Sequence, residues 1–254
     1  MTTQKLSQAL LRHKALIIAV SGGVDSMTLA HFAQSVLGDK LRIVHALSPA
    51  VPARATRRVK EHATWAGWSI YFIDSGEFND PKYRANPSNR CYFCKSNLYS
   101  KIAELMAGTI ASGTNQDDLS DFRPGLKAAK KWRVVHPYVE AGFKKANIYD
   151  LARQLELTDL EELPAEPCLA SRVETGISVD PTDLAFVEHA EALIREELGP
   201  RSVVRCRITH SGVVIETDGA APPTSVIDYC KTAGRIYLGH RPYHKGSAFL
   251  RIDK

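Results

Sequence analysis

No apolar run in the chain approaches the length needed to span a membrane as a helix, so a membrane partner is not expected. Cysteine is scarce: Cys91, Cys94, Cys168, Cys206 and Cys230 are an odd and sparse set of five in 254 residues. Such a set argues against a disulfide scaffold and leaves metal binding, catalysis or core packing as the uses of the thiols. The segment Met1 to Lys14 is polar and lacks the apolar stretch of a secretory signal, so a cytoplasmic location is expected. There is no internal repeat and no low-complexity tract. Nor is there a basic stretch interleaved with aromatics, which makes nucleic acid an unexpected partner. What is present, 44% hydrophobic and 24% charged residues, describes a globular chain with room for one α/β domain and a smaller companion. The formal charge of +5 gathers at Arg54-Arg57-Arg58-Lys60, Lys127-Lys130-Lys131-Arg133 and Arg201-Arg205-Arg207. These clusters suit a phosphorylated substrate, although solvated helix faces account for much of them.

The most informative segment is Ser21, Gly22, Gly23, Val24, Asp25 and Ser26. It follows the apolar run Ala15 to Val20 and opens into the helical pattern Met27 to Leu37. A strand, a glycine-rich turn and a helix start in that order make a pyrophosphate-binding site. Glycines allow a tight turn with bare N–H groups, while the Ser21 and Ser26 hydroxyls and the helix dipole face the same anion. The loop has no Lys before its final Ser, as a Walker loop requires, and it lacks the spaced glycines of a dinucleotide fingerprint.

Beyond it, strands are expected at Leu41 to Ala46, Ser69 to Ile73 and Thr109 to Ser112, and helices at Ala53 to Ala66, Cys91 to Met106 and Lys144 to Leu155. The alternation predicts an α/β fold with a parallel sheet covered on both faces. Ligands of such sheets sit at the carboxyl ends of strands, so Ser21 and Gly113 should face one cleft. Glu161 to Pro167 is proline-rich and reads as a linker or lid. A helix from Pro181 to about Leu198, N-capped by Asp180 and closed by Gly199-Pro200, is followed by strands at Ser202 to Thr209 and Gly212 to Thr217. A helix at Thr224 to Ala233 and a last strand at Ser247 to Ile252 complete a small α+β domain. The division expected is residues 1–175 for the nucleotide domain and 176–254 for a substrate-binding or oligomerisation domain.

Cys91 and Cys94 fall on one face at the start of a helix, where the dipole favours thiolate. With Cys168 they leave a tetrahedral zinc site one ligand short, whereas a four-iron cluster held by three cysteines keeps one iron open. A structural zinc with a histidine as fourth ligand, a CxxC redox pair and unrelated buried thiols are the other readings. Cys206 and Cys230 are expected to be packing residues.

Taken together, Ser21 to Ser26, Asn86 to Lys95, Gly113 to Gly125 and Pro167 to Arg172 resemble the LarE family, ATP-dependent sulfur transferases of the PP-loop superfamily. Arg205, Cys206, Arg207 and Glu216 also match family positions, so the likeness extends over nearly the whole chain. It implies adenylation of the carboxylates of pyridinium-3,5-biscarboxylic acid mononucleotide and replacement of oxygen by sulfur, on the route to a nickel-pincer cofactor. Some members sacrifice the cysteine matching Cys168; others carry three cysteines and a [4Fe-4S] cluster. This chain has the three-cysteine pattern, and the ligand arithmetic favours the cluster form. A tRNA thiolase, an amide-forming synthetase and a zinc-containing, non-catalytic nucleotide-binding protein are the competing classes.

The resemblance and the residues together assign roles. Ser21 to Ser26 would hold the β,γ-phosphates of ATP, with Asp25 as ligand of Mg²⁺. Adenine and ribose would lie against Ala46 to Ser48 and Gly113-Thr114. Lys95, Lys101 and Arg123 are cationic candidates for the α-phosphate or the substrate, and Asp117 and Asp118 could orient the nucleotide, bind metal or simply form a turn. Arg205 and Arg207, two apart on a strand, suit a substrate phosphate with Glu216 anchoring them. Cys91, Cys94 and Cys168 would hold the cluster. A small-molecule mononucleotide, sulfide or another sulfur donor, and a second copy of the chain in a homo-oligomer are the expected partners.

Overall fold

The computed structural model describes residues 2–120, 123–200 and 202–244. In chain order its elements are α1 (Thr2–Leu11), β1 (Leu16–Val20), α2 (Val24–Leu37), β2 (Leu41–Leu47), α3 (Ala53–Trp65), β3 (Ile70–Asp74), α4 (Pro81–Arg84), α5 (Arg90–Leu105) and β4 (Thr109–Ala111). There follow α6 (Pro124–Lys131), α7 (Pro137–Ala141), α8 (Lys145–Gln154), α9 (Pro181–Leu198), β5 (Val204–Thr209), β6 (Gly212–Thr217), α10 (Thr224–Thr232) and β7 (Tyr237–Pro242). They gather into two compact units, residues up to Glu77 with Asn89–Glu166, and Phe78–Ser88 with the residues from Pro167 onward.

The first unit is built on a parallel sheet of order β3-β2-β1-β4. Alternation along β1 shows why both faces are covered. Leu16, Ile18 and Val20 pack on one side with Met27, Leu29, Tyr138 and Ile148, whereas Ile17 packs on the other with Leu98, Ile102, Ile110 and Ala128. Val135 extends the β4 edge through a single parallel bridge to Ala111. Strand order reverses between β2 and β4 on either side of β1, so the loops after β1 and β4 flank the crevice where such sheets bind ligands. The α/β fold expected from the alternation is what the chain adopts.

The second unit carries a mixed sheet of order β5-β6-β7, with β5 and β6 antiparallel and β6 and β7 parallel. Helix α10 supplies the crossover that a parallel pair needs. Helix α9 begins at Asp180, whose carboxylate accepts from the Thr182 N–H at 2.9 Å, and closes at Gly199, as the capping pattern predicts. The expected strand at Ser247 to Ile252 lies outside the described residues; β7 comes earlier, in a stretch whose Gly239, at φ 120°, and Pro242 hide it from strand propensity. Among the described residues, no helix is long and apolar enough to cross a membrane.

Candidate active site

The loop after β1 separates the roles of its two glycines. Gly22 has φ +80°, and a Cβ there would lie 2.7 Å from the Ala55 carbonyl oxygen, so α3 approaches the loop as closely as a bare backbone allows. Gly23 is extended (φ −86°, ψ 158°) and is the N-cap of α2 without any side-chain cap, which leaves the first N–H groups of the helix to a ligand. The Ser26 hydroxyl accepts from the Ser21 N–H at 3.0 Å, and the Ser21 and Ser26 oxygens are 3.3 Å apart, closing the loop on itself. Val24 and Ser26 are buried beneath it.

The loop after β4 meets this one backbone to backbone. A Cβ on Gly113 would stand 2.8 Å from the Ser26 nitrogen and 2.9 Å from the Asp25 carbonyl carbon. The loops that carry Ser21 and Gly113 are thus in backbone contact. Thr114 bonds through its hydroxyl to Ser112, which also pairs with His136 Nδ1 at 2.9 Å. Ser48 turns the chain after β2 by accepting from the Ala50 N–H. The strands being parallel, Ser48 belongs to the same sheet edge as Ser21 and Gly113.

Asp25 stands on the first turn of α2, half-buried, with both carboxylate oxygens 2.8 Å from Lys145 Nζ. Burial pushes the Asp25 carboxyl up, Lys145 pulls it back, and nearby Asp118 adds to the rise. Asp118 accepts from the Asn115 N–H and pairs with Arg123 at 2.6 Å, while Asp117 accepts from the Lys145 N–H at 2.9 Å. The mouth therefore carries two carboxylates close enough to feel one another, each balanced by a cation; hard oxygen donors of this kind fit a divalent ion bound with phosphate. Lys145→Ala is expected to move the acid limb of the activity profile to higher pH, because losing the cation raises a carboxyl that must be ionised; a pH–rate comparison checks it.

Cys91 lies in the first turn of α5 and Cys94 one turn on, both half-buried, at a helix start whose N-cap, Asn89, makes no side-chain cap. Lys101, further along α5, pairs with Glu104. Lys95 stands over the Tyr99 ring. Cys168, also half-buried, belongs to the second unit and precedes the short helical turn Leu169–Arg172. Thiolates are the donors an iron–sulfur cluster takes. Among the described residues, no group of three or more His, Cys, Asp or Glu is placed to hold a metal ion. Cys206 and Cys230 are buried, and burial pushes both thiols up, in keeping with a packing role.

In the second unit Arg205 and Arg207 are both buried. Glu216 accepts from Arg207 at 2.8 Å on one oxygen and from Arg241 at 2.8 Å on the other. Arg207 also donates to the Ser171 carbonyl, and Arg205 lies over the Tyr243 ring. Arg172, fully buried, donates through Nε and Nη2 to Glu191, which also binds Arg195 and the Cys206 N–H.

Sequence reasoning passed over Lys145, Arg58, Glu166 and His45. Arg58 donates to the Gly22 carbonyl at 2.6 Å, and buried His45 donates through Nδ1 to the Val20 carbonyl while Nε2 accepts from Thr56. No local pattern could have found Lys145, which is 120 positions from Asp25. For Arg58 the basic cluster was the available signal.

No family model matches the chain. It is 36% identical over 183 residues to an uncharacterized protein of Synechocystis sp., covering 70% of this chain and 68% of that protein. It is 27% identical over 195 residues to the pyridinium-3,5-bisthiocarboxylic acid mononucleotide synthase of Lactiplantibacillus plantarum, covering 75% and 70%. Over 208 residues it is 26% identical to one of the subunits of the glutamine-hydrolyzing GMP synthase of Thermoplasma volcanium, covering 73% and 66%. A Ser-Gly-Gly-Val-Asp-Ser loop at the switch point of a parallel sheet, in a chain with such relatives, defines an ATP-dependent enzyme of the PP-loop type. Within that class the four separated motifs and the synthase relative place it more narrowly. The chain belongs to the LarE family.

Proposed function

We propose that the protein is an ATP-dependent sulfur transferase that adenylates the carboxylates of pyridinium-3,5-biscarboxylic acid mononucleotide and exchanges their oxygen for sulfur, using a [4Fe-4S] cluster held by Cys91, Cys94 and Cys168. The observation that carries the ATP half is the uncapped start of α2 pressed against Gly113, with Asp25 and Lys145 at its rim. The synthase relative and the three-cysteine pattern of Cys91, Cys94 and Cys168 support the sulfur half.

A carboxylate oxygen is a poor leaving group until it is attached to phosphorus. Its attack on the α-phosphate forms a P–O bond and expels pyrophosphate with the bonding pair. The N–H groups at the start of α2 and the Ser21 and Ser26 hydroxyls are fixed to receive that charge. Asp25 and Asp118 would supply oxygens to Mg²⁺, which would shield the phosphate charge, with Lys145 held beside Asp25. A cluster held by the three cysteines would supply one iron without a protein ligand, able to carry sulfide. Sulfide then forms the C–S bond as the C–O bond breaks and AMP leaves. Arg207 and Arg241, held by Glu216, give the second unit a cationic edge suited to the phosphate of the mononucleotide.

Anaerobic preparation with iron and acid-labile sulfide assays, alongside pyrophosphate release with the pyridinium dicarboxylate, tests the proposal. Iron is expected with release dependent on that substrate, and Cys91→Ala should lose both the iron and multiple turnovers. Zinc alone with no pyrophosphate release overturns it. One sulfur per chain, with loss of about 34 mass units at Cys168, would make that cysteine the spent donor.

A further inference from the structure

One half-buried cation joins the phosphate loop to the segment that leads into Cys168. Arg58, on α3, has a side chain 14% exposed. Its Nη1 donates to the Gly22 carbonyl at 2.6 Å and reaches Glu166 Oε2 at 3.4 Å, while Nε stands 3.8 Å from Asp159. The Glu166 side chain is 6% exposed and pairs through its other oxygen with Arg54. Asp159 in turn accepts from His62 Nε2 at 3.0 Å. Glu166 precedes Cys168 by two positions.

The two kinds of contact differ in quality. The bond to Gly22 is short and charge-assisted, whereas the contacts to Glu166 and Asp159 lie beyond the best hydrogen-bond distances. A guanidinium so held yields readily toward a stronger anion. A triphosphate bound at the start of α2 brings several negative charges beside the very loop that Arg58 already grips, in a partly buried setting where Coulomb attraction is strong. We propose that Arg58 is a positioning residue contested between the bound phosphates and Glu166, so that nucleotide occupancy of the loop alters the anchoring of the segment ahead of Cys168. The gain for sulfur transfer is timing: the segment bearing the third cysteine responds when ATP is in place. The inference rests on the loop being the ATP site.

The test uses full-length protein, prepared anaerobically, and α,β-methylene-ATP, which cannot be cleaved at the α–β bond. Binding is followed by calorimetry and the segment 161–169 by amide hydrogen exchange. The analogue is expected to change exchange in that segment by about fivefold, and Glu166→Gln, which removes a competitor for the guanidinium, should bind it more tightly while losing the response. Binding without any change in the segment, or an undiminished response in Glu166→Gln, overturns the coupling and leaves the ATP site standing. Absence of binding overturns both. Should Glu166→Gln fail to fold, Asp159→Asn, which removes a more exposed competitor for the same guanidinium, should bind the analogue more tightly; unchanged affinity again counts against the proposal.

Discussion

Gly113→Ala is expected to cost about 100-fold in pyrophosphate release, the scale of loss that an ångström of misplacement at a reacting site can bring. The added methyl would stand 2.8 Å from the Ser26 nitrogen and 2.9 Å from the Asp25 carbonyl carbon and the Ser26 Cα. All of these are backbone atoms, so no flexible side chain can swing aside. Either the loop after β4 retreats or the first turn of α2 moves, and in both cases the N–H groups no longer converge on one phosphate. The accompanying loss of stability should be modest, about 1–3 kcal/mol, because overpacking is relieved by that same shift. Gly23→Ala is the informative comparison. Its Cβ would meet only the Ser21 hydroxyl at 3.5 Å and its φ is ordinary, so the variant should melt with the wild type and reveal any defect as weaker ATP binding. Thermal denaturation paired with pyrophosphate assays separates the two glycines.

Glu191→Ala should lower stability by about 3–5 kcal/mol, the range for removing one partner of a buried ion pair. Its carboxylate is enclosed by Arg172, Arg195 and the Cys206 N–H, and truncation strands two guanidinium groups with little water to replace it. Burial by itself raises the Glu191 carboxyl, but Arg172 and Arg195 prevail and hold it at about 2, below its ordinary 4.5. A depressed folded value makes the contribution complete above about pH 5 and removes it progressively as the pH falls through 4.5 toward 2. That difference is worth about 3 kcal/mol, and urea denaturation at neutral and acid pH should show it shrinking in the wild type but not in the alanine variant.

The parts of the fold that were legible in the sequence are those written by local chemistry. Ser21 to Ser26 announces its turn because two glycines stand between an apolar run and a helical one, and Asp180 with Pro181 marks the start of α9. Helix α1 was legible too, since Leu6, Ala9 and Leu10 share a helical face, yet it reads as merely polar when only a signal peptide is sought. What stays hidden depends on partners distant in the chain. Lys145 acquires meaning only beside Asp25, and Arg58 only between Gly22 and Glu166. Arg205 and Arg207 are two apart on a strand, as read, but Glu216 accepts from Arg207 and from Arg241, whose strand no propensity suggested.

The segment 78–88 is made early and satisfied late. Asn86, at φ 51° and 1% exposed, donates through its side-chain amide to the carbonyls of Val173 and Glu174, the first of them 87 positions downstream, and its own carbonyl accepts from Gly176. On a translating ribosome, that interval is roughly 4 to 17 seconds. Throughout it Asn86 awaits the carbonyls of Val173 and Glu174, while β4 and its helices are already emerging. The loop is thus a gap held open in the first unit's folding programme. A chain stopped after Glu166 would lack the two carbonyls that the Asn86 amide binds and the Gly176 N–H that its carbonyl accepts, and such a fragment should be easily cut there.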